Sequence, residues 1–270
     1  MRADGKPANS SEPLNSVMLT CPATGKGAMT HLIVADAICV AFPHLRIDAI
    51  VAEGFSGREP WPEVAERLSR LEADAAAGQA PPAEDDPHIA SWRAAYRAFG
   101  TNPKRERPSI EALRRRLARS ALLPRINAAV DCYNLVSVTA GIPAGAFDLR
   151  QVKGDITIRL AVGSEEFTPL GEPGIIEHPR PGEVIYADAE GVLTRHWNHR
   201  DAERTKVTGD SEDIVFLLET VDAPAFGAAL DAATASLTTL LRSRARSVHV
   251  RSLTRAHPAC ALLARDQAGD

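Results

Sequence analysis

No two cysteines in this chain are spaced for metal or redox chemistry. Cys21, Cys39, Cys132 and Cys260 include no C-x-x-C pair, so the thiols read as reduced side chains of a cytoplasmic protein. Long apolar runs are missing too. The longest, residues 32–42, is too short to cross a bilayer and contains Asp36, so no membrane segment is expected. The opening M-R-A-D-G-K-P-A-N-S-S-E-P has no apolar core, which argues against a secretory leader. There is no excess of basic charge. The net charge is −4, so the molecule as a whole is no general binder of polyanions. Neither a G-x-S-x-G elbow nor a Ser-His-Asp set is visible, which argues for attack by water over a covalent intermediate in any hydrolysis.

What is present suits a globular fold. With 270 residues, 44% apolar and 24% charged, the chain can bury one sizeable core, or at most two. Residues 1–30 are polar with scattered Gly and Pro, and are expected to be disordered. Residues 46–53 read as a strand. Residues 63–72 read as a helix with Val64, Leu68 and Leu71 on one face. After a small, acidic, Pro-rich linker over 75–87, Asp86 and Pro87 form a cap and first-turn pair. The helix they open carries Ile89, Trp92, Tyr96 and Phe99 on one face and ends at Gly100. Further helices are expected over 108–120, 124–139 and 224–241, and strands over 155–162, 183–187, 192–197 and 214–218. The last strand is a continuous apolar run, as in the centre of a sheet. The final 25 residues or so read as irregular.

One order of motifs stands out. Residues 123–135 read L-P-R-I-N-A-A-V-D-C-Y-N-L, residues 141–149 read G-I-P-A-G-A-F-D-L, and residues 154–162 read G-D-I-T-I-R-L-A-V. This order resembles the B3/4 editing domain of the bacterial phenylalanyl-tRNA synthetase beta subunit. That domain carries a V-D-x-x-N-Y helix, a G-x-P-x-x-A-F-D-L turn and a strand ending in R-x-A. The likeness continues through Glu166-Phe-Thr-Pro-Leu170, the stretch from Val184 to Gly191, Thr205-Lys-Val-Thr208 and the closing Ile214 to Glu219. The resemblance implies an α+β fold, a mixed β-sheet flanked by helices. The implied division is a B3/4-like domain over 31–222, followed by a C-terminal helix and basic tail over 223–270. It also implies hydrolysis of mischarged aminoacyl-tRNA, here by a free-standing deacylase acting in trans, with tRNA or aminoacyl-tRNA as partner and no cofactor. The alternative of the same fold is a non-catalytic module that binds an amino acid or a tRNA end.

The departures fall where the family's substrate pocket lies. The family's turn reads P-L-H-A-F-D-L, and Gly145 stands in place of its His. Lys206 stands in place of the S-E-V-T Glu that recognises a tyrosine hydroxyl, which reverses the polarity of that hydrogen bond. The family's Gly-rich G-V-M-G-G loop becomes Arg195-His-Trp-Asn-His-Arg200. The candidate catalytic residues are therefore Asn134, Asn198 and His199: amides to hold a water, an amino group or an oxyanion, and a His as general base. Asn134 lies three residues after Asp131 on one side of its helix, and both can instead tie that helix to neighbouring backbone. Tyr133, Gly145, Trp197, Arg200 and Lys206 are the candidate substrate contacts. His196 and His199, with Asp201 near, lack a third and fourth ligand, so no metal is expected. Ten basic residues between Arg93 and Arg125 face only Glu106 and Glu111. Arg93, Arg97, Arg114, Arg115 and Arg116 are the candidate tRNA contacts. The tail arginines Arg242, Arg244, Arg246, Arg251 and Arg255 offer a flexible second contact.

Overall fold

The computed structural model describes residues 29–264. The expectation of disorder over 1–30 therefore lies outside the described residues, except that Met29 and Thr30 begin the first strand. The first half runs β1 (Met29–Val34), α1 (Asp36–Ala41), β2 (Arg46–Glu53), α2 (Pro62–Ala76), α3 (Pro87–Ala98), α4 (Ser109–Ser120) and α5 (Ala128–Ala140). Next come β3 (Ala144–Asp148), β4 (Ile156–Leu160), β5 (Val184–Ala187), β6 (Val192–Arg195), β7 (Arg200–Asp201) and β8 (Ile214–Thr220). The chain closes with α6 (Ala223–Leu241), β9 (Ser247–Thr254) and β10 (Ala259–Ala264).

The fold is α+β, a mixed β-sheet flanked by helices as expected, joined by a second, antiparallel sheet. One sheet has the order β10-β1-β4-β5-β6-β7 and the other β3-β8-β2-β9. The first is mixed, because β1 and β4 run parallel while its other pairs are antiparallel. Alternation along the central strands explains the layering. In β8, Val215 and Leu217 enter the core between the sheets, while Ile214, Phe216 and Leu218 enter the core beneath the helices. In β2, Ile47, Ala49 and Val51 face the first core, and Ile50 and Ala52 face the second. A strand buried on both faces leaves no polar alternation, which is why β8 reads as a continuous apolar run.

Local signals set the helices that carry the site. Asp86 caps α3, its carboxylate accepting from His88 N at 2.8 Å and Ile89 N at 3.0 Å. Asn127 caps α5 by accepting from Val130 N at 3.0 Å. Gly141 ends α5 at φ 72°, with Arg114 packed against the bare Cα and its Nε donating to Val138 O at 3.1 Å. In the F-D-L corner, Asp148 accepts from Ser211 Oγ at 2.6 Å and Arg150 N at 2.9 Å, so this carboxylate is structural.

As far as Ala264 the C-terminal stretch forms two strands, where the sequence read as irregular. β9 pairs with β2 along its whole length, and β10 pairs with β1. α6 sends Leu230, Leu237 and Leu241 into the same core as α5. Only Leu253 of β9 is fully buried, and it measures the strand's share of the core. Leu253→Ala is expected to lower unfolding stability by roughly 2–4 kcal/mol in urea titrations. A loss below about 0.5 kcal/mol would mean that β9 is not part of the cooperative fold.

Candidate functional site

The site begins with a buried carboxylate. Glu219 continues the face of β8 that carries Val215 and Leu217, and is 3% exposed. An acid in that position needs donors, and the sheet opposite supplies them. Tyr186 of β5 donates its hydroxyl to Oε1, joined by Trp197 Nε1 at 3.0 Å, while Asn198 Nδ2 donates to Oε2 at 3.1 Å. Asn198 is fixed in turn by Tyr96 Oη and Ser109 N, which donate to its Oδ1 at 2.8 and 3.4 Å. The face of α3 that was expected to be simply apolar thus delivers a hydroxyl to the site.

The turn between β6 and β7 holds two of these donors in an unusual backbone. His196 and Trp197 have φ of 47° and 69°, left-handed values that cost a bulky residue about 1–2 kcal/mol each. The conformation drives the Trp197 indole inward to full burial against Phe42, Trp92 and Phe99. It also turns Asn198 and His199 toward α3 and α4.

Next to this network lies a cavity of about 230 Å³. It opens where the edge strands of the two sheets, β3 and β7, meet α4 and α5. Gly145 and Phe147 line it from β3, Asp201 from β7, Tyr133 and Asn134 from α5, and Trp197, Asn198 and His199 from the turn. The structure therefore brings together six of the eight residues chosen as catalytic or substrate-binding. The other two lie elsewhere. Arg200 borders a separate cavity with Arg105 and Arg180 and is paired to Glu172 at 2.6 Å and Glu177 at 2.8 Å. Lys206 is paired to Glu203 and borders a neighbouring apolar cavity of about 380 Å³, which also touches Tyr133 and Asp201. No arginine or lysine lines the smaller cavity.

Its polar groups are unequally satisfied. The Asn134 side chain is 6% exposed and has no hydrogen-bond partner among the described residues. Ser109 Oγ is likewise buried without a partner. Asp131, by contrast, accepts from Ile126 N at 2.9 Å, which settles it as a helix tie. His199 Nδ1 lies 2.8 Å from Arg107 O. A carbonyl only accepts, so Nδ1 carries the proton and neutral His199 keeps its lone pair on Nε2. Burial lowers the His199 pKa, favouring that neutral form. Asp201 accepts from Thr194 Oγ1 at 2.8 Å, across the β6–β7 pair. Burial pushes its carboxyl up to about 6. Burial also raises Glu219, and the charge of Asp201 adds to the effect. Among the described residues no group of three or more His, Cys, Asp or Glu is placed to hold a metal ion, and no helix is long and apolar enough to cross a membrane.

The arginines chosen as tRNA contacts divide sharply. Arg114 is buried and spent on structure, reaching Asp86 Oδ2 at 2.5 Å and Pro82 O at 3.0 Å. Buried with these partners, Arg114 is not available for the tRNA contact expected of it. Arg93 and Arg115 both pair with the buried Glu111, at 2.8 Å each. Arg97 and Arg116 are exposed and have no ion-pair partner among the described residues. Arg116 lines a groove of about 630 Å³ with Arg105, Arg107, Arg115 and Arg119, and His199 lines it as well. Sequence reasoning missed Glu219, Tyr186 and Ser109, and met Asp201 only as a neighbour of the His pair. The one available signal was an acid ending the apolar run I-V-F-L-L-E.

Two measurements follow from this geometry. A carboxyl raised in the folded state binds more protons there than in the unfolded chain, so it costs stability as pH rises from about 4 through 6. Asp201→Asn removes that cost. Its stability relative to wild type is expected to rise between pH 4 and pH 8 by on the order of 1–3 kcal/mol; parallel profiles would contradict the burial of this charge. The second concerns space. A Cβ at Gly145 meets no atom within 4 Å, whereas one at Gly141 would lie 2.7 Å from Arg114 Nη2 at a positive φ. Thermal and urea unfolding should place Gly145→Ala within about 0.5 kcal/mol of wild type and Gly141→Ala at least about 1 kcal/mol below it.

The phenylalanine–tRNA ligase beta subunit of Nitrobacter winogradskyi is 39% identical over 85 residues, 32% of this chain and 10% of that protein. Among solved structures, an N-terminal fragment of the phenylalanyl-tRNA synthetase beta subunit from Pyrococcus horikoshii overlays with a TM-score of 0.43 at 16% identity, covering 86% of this chain and 53% of that one. The chain thus spans about a tenth of the curated relative and about half of the solved fragment. The sequence model of the B3/4 domain matches residues 91–262, from within α3 into β10 and well over half of the chain. The chain belongs to the B3/4 domain family.

Proposed function

We propose that this protein is an aminoacyl-tRNA deacylase that hydrolyses the ester of mischarged tRNA in trans. The observation that carries the reading is the position of His199, which borders both the carboxylate-lined cavity and the arginine groove. A tRNA acceptor end laid in the groove would pass its phosphates by Arg105, Arg116 and Arg119, which have no ion-pair partner among the described residues, and present its terminal ester at His199. Such an ester is activated, and its cleavage asks for little beyond a positioned water and donors for the developing charge. Neutral His199 supplies the base. Its Nε2 takes a proton as water oxygen attacks the ester carbonyl carbon. The tetrahedral oxyanion faces the remaining Asn198 amide hydrogen, and the ribose oxygen leaves with the proton returned from His199. In this scheme Glu219, Tyr96 and Trp197 are positioning residues, acting through Asn198.

A second reading has a specific observation behind it. Gly145 and Lys206 replace the two pocket groups of the resembled domain, so the same cavity can serve a module that binds an amino acid or tRNA end without turning it over. The two readings separate in variants. On a released substrate, His199→Ala is expected to lower kcat about 10²–10³-fold with KM little changed. The Arg116→Glu/Arg119→Glu pair is expected to raise KM and flatten its salt dependence with kcat preserved. A protein that retains substrate in a filter assay with no release, unaffected by His199→Ala, would favour the binding module.

A further inference from the structure

The 230 Å³ cavity holds two carboxylates and no cation. Asp201 and Glu219 disfavour one another's charge, and every basic group nearby is committed elsewhere. Arg200 is held by Glu172 and Glu177, Lys206 by Glu203, and buried His199 favours its neutral form. Glu219 is satisfied on both oxygens by Tyr186, Trp197 and Asn198. Asp201 is not: among the described residues only Thr194 reaches it, at Oδ1, and Oδ2 is left without a donor. Beside it, Asn134, a residue more than nine-tenths buried, lines the cavity, and its amide has no partner among the described residues. Tyr133, whose hydroxyl likewise has no hydrogen bond among them, borders both adjoining cavities together with Asp201. Three acceptors with free capacity, one of them anionic, thus line one cavity. A half-buried carboxylate oxygen without a donor and an unpaired amide can both be met by one ligand group, a cation with several N–H donors.

Resting on the reading of this cavity as an aminoacyl-ester pocket, we propose that Asp201, the Asn134 amide and the Tyr133 hydroxyl form a subsite for a primary ammonium group. The substrate class is therefore an aminoacyl ester with a free amino group, and N-acylated esters are excluded. An ammonium presents three donors and no acceptor. It suits a carboxylate oxygen, an amide oxygen and a phenol oxygen together, and a charge-assisted bond in such a setting is strong. Acylating the amine removes the charge and two of the donors and adds bulk. Asp201, which costs the folded protein stability, is then retained for recognition rather than for folding.

The test uses amides, which keep the amine and carbonyl but contain no ester to hydrolyse. Glycinamide, L-alaninamide, 5-aminopentanamide and N-acetyl-L-alaninamide are titrated into the full chain by calorimetry and ¹H–¹⁵N spectra. Amides with an ammonium are expected to bind at least about tenfold more tightly than the N-acetyl compound. Preference for alaninamide over 5-aminopentanamide assigns the subsite to an α-amine, and the reverse to a side-chain amine. Asp201→Asn is expected to lose about tenfold in affinity for the ammonium compounds and Asn134→Ala about threefold, with KM for an ester substrate rising in step. Asn134→Ala carries the comparison if Asp201→Asn fails to fold, because nothing else in the described protein depends on that amide. Equal binding of the N-acetyl compound, wild-type affinity in both variants, or no binding of any ammonium compound at about 50 mM would overturn the proposal. Binding here needs neither tRNA nor turnover. A protein that binds the amines but releases no amino acid keeps the subsite and loses the deacylase, and turnover indifferent to N-acylation does the opposite.

Discussion

The anchoring of Glu219 is the constraint on which the rest of the site depends. A carboxylate at the end of a fully buried strand cannot stand alone, and its donors come from the other sheet and from the strained turn after β6. Those three hydrogen bonds fix how the two sheets face each other at this edge. They also fix Asn198, and through its Oδ1 they register Tyr96 of α3 and the first residue of α4. Two helices, two sheets and a turn are located by one acid. The backbone strain at His196 and Trp197 is held in place by the aromatic packing of Trp197 and by the same carboxylate, the pattern expected where geometry serves a site rather than stability.

A second acid gives this arrangement its chemical character. Asp201 lies on the edge strand β7, faces the cavity and takes only a threonine hydroxyl. Other buried or half-buried acids are met by arginine, as Glu111 by Arg93 and Arg115, Asp86 by Arg114 and Glu183 by Arg195, or by donors on both oxygens, as Glu219 and Asp148. The contrast separates charges that hold the fold from a charge that waits for a ligand. It also explains why several arginines picked out by their local density turn out to be structural. A run of basic residues along a helix does not reveal which of them a distant acid will reach, whereas Arg105, Arg116 and Arg119, which line a groove with His199, have no such acid among the described residues.

The central strands and the helices were legible because they obey simple periods. β2 was expected and found over the same residues, and β8 was recognised as central from its apolar run. Asp86 and Gly141 showed their capping roles in the sequence or its motif. The strands that escaped include all four sheet edges, β3, β7, β9 and β10. An edge strand is paired on one side only and guards its free side with charge or small residues. β9 accordingly reads S-V-H-V-R-S-L-T with one fully buried side chain, and β3 reads A-G-A-F-D. The site was half legible for the same reason. Residues of the motif helix, the turn and Gly145 could be named, but Asp201 lies on a two-residue edge strand and Glu219 at the end of an apolar run. Their meeting depends on a sheet pairing that no local pattern encodes. Lys206 was aligned to a pocket position, and its partner Glu203 lies only three residues away.

The account's central claim is that this member of the B3/4 domain family turns over aminoacyl-tRNA. The direct measurement is release of labelled amino acid from a panel of correctly and wrongly charged tRNAs, with the protein well below the substrate in concentration. The account predicts many equivalents of release from one or a few mischarged species and little from the rest. Retention of at most one equivalent, or no release from any member of the panel, would contradict it.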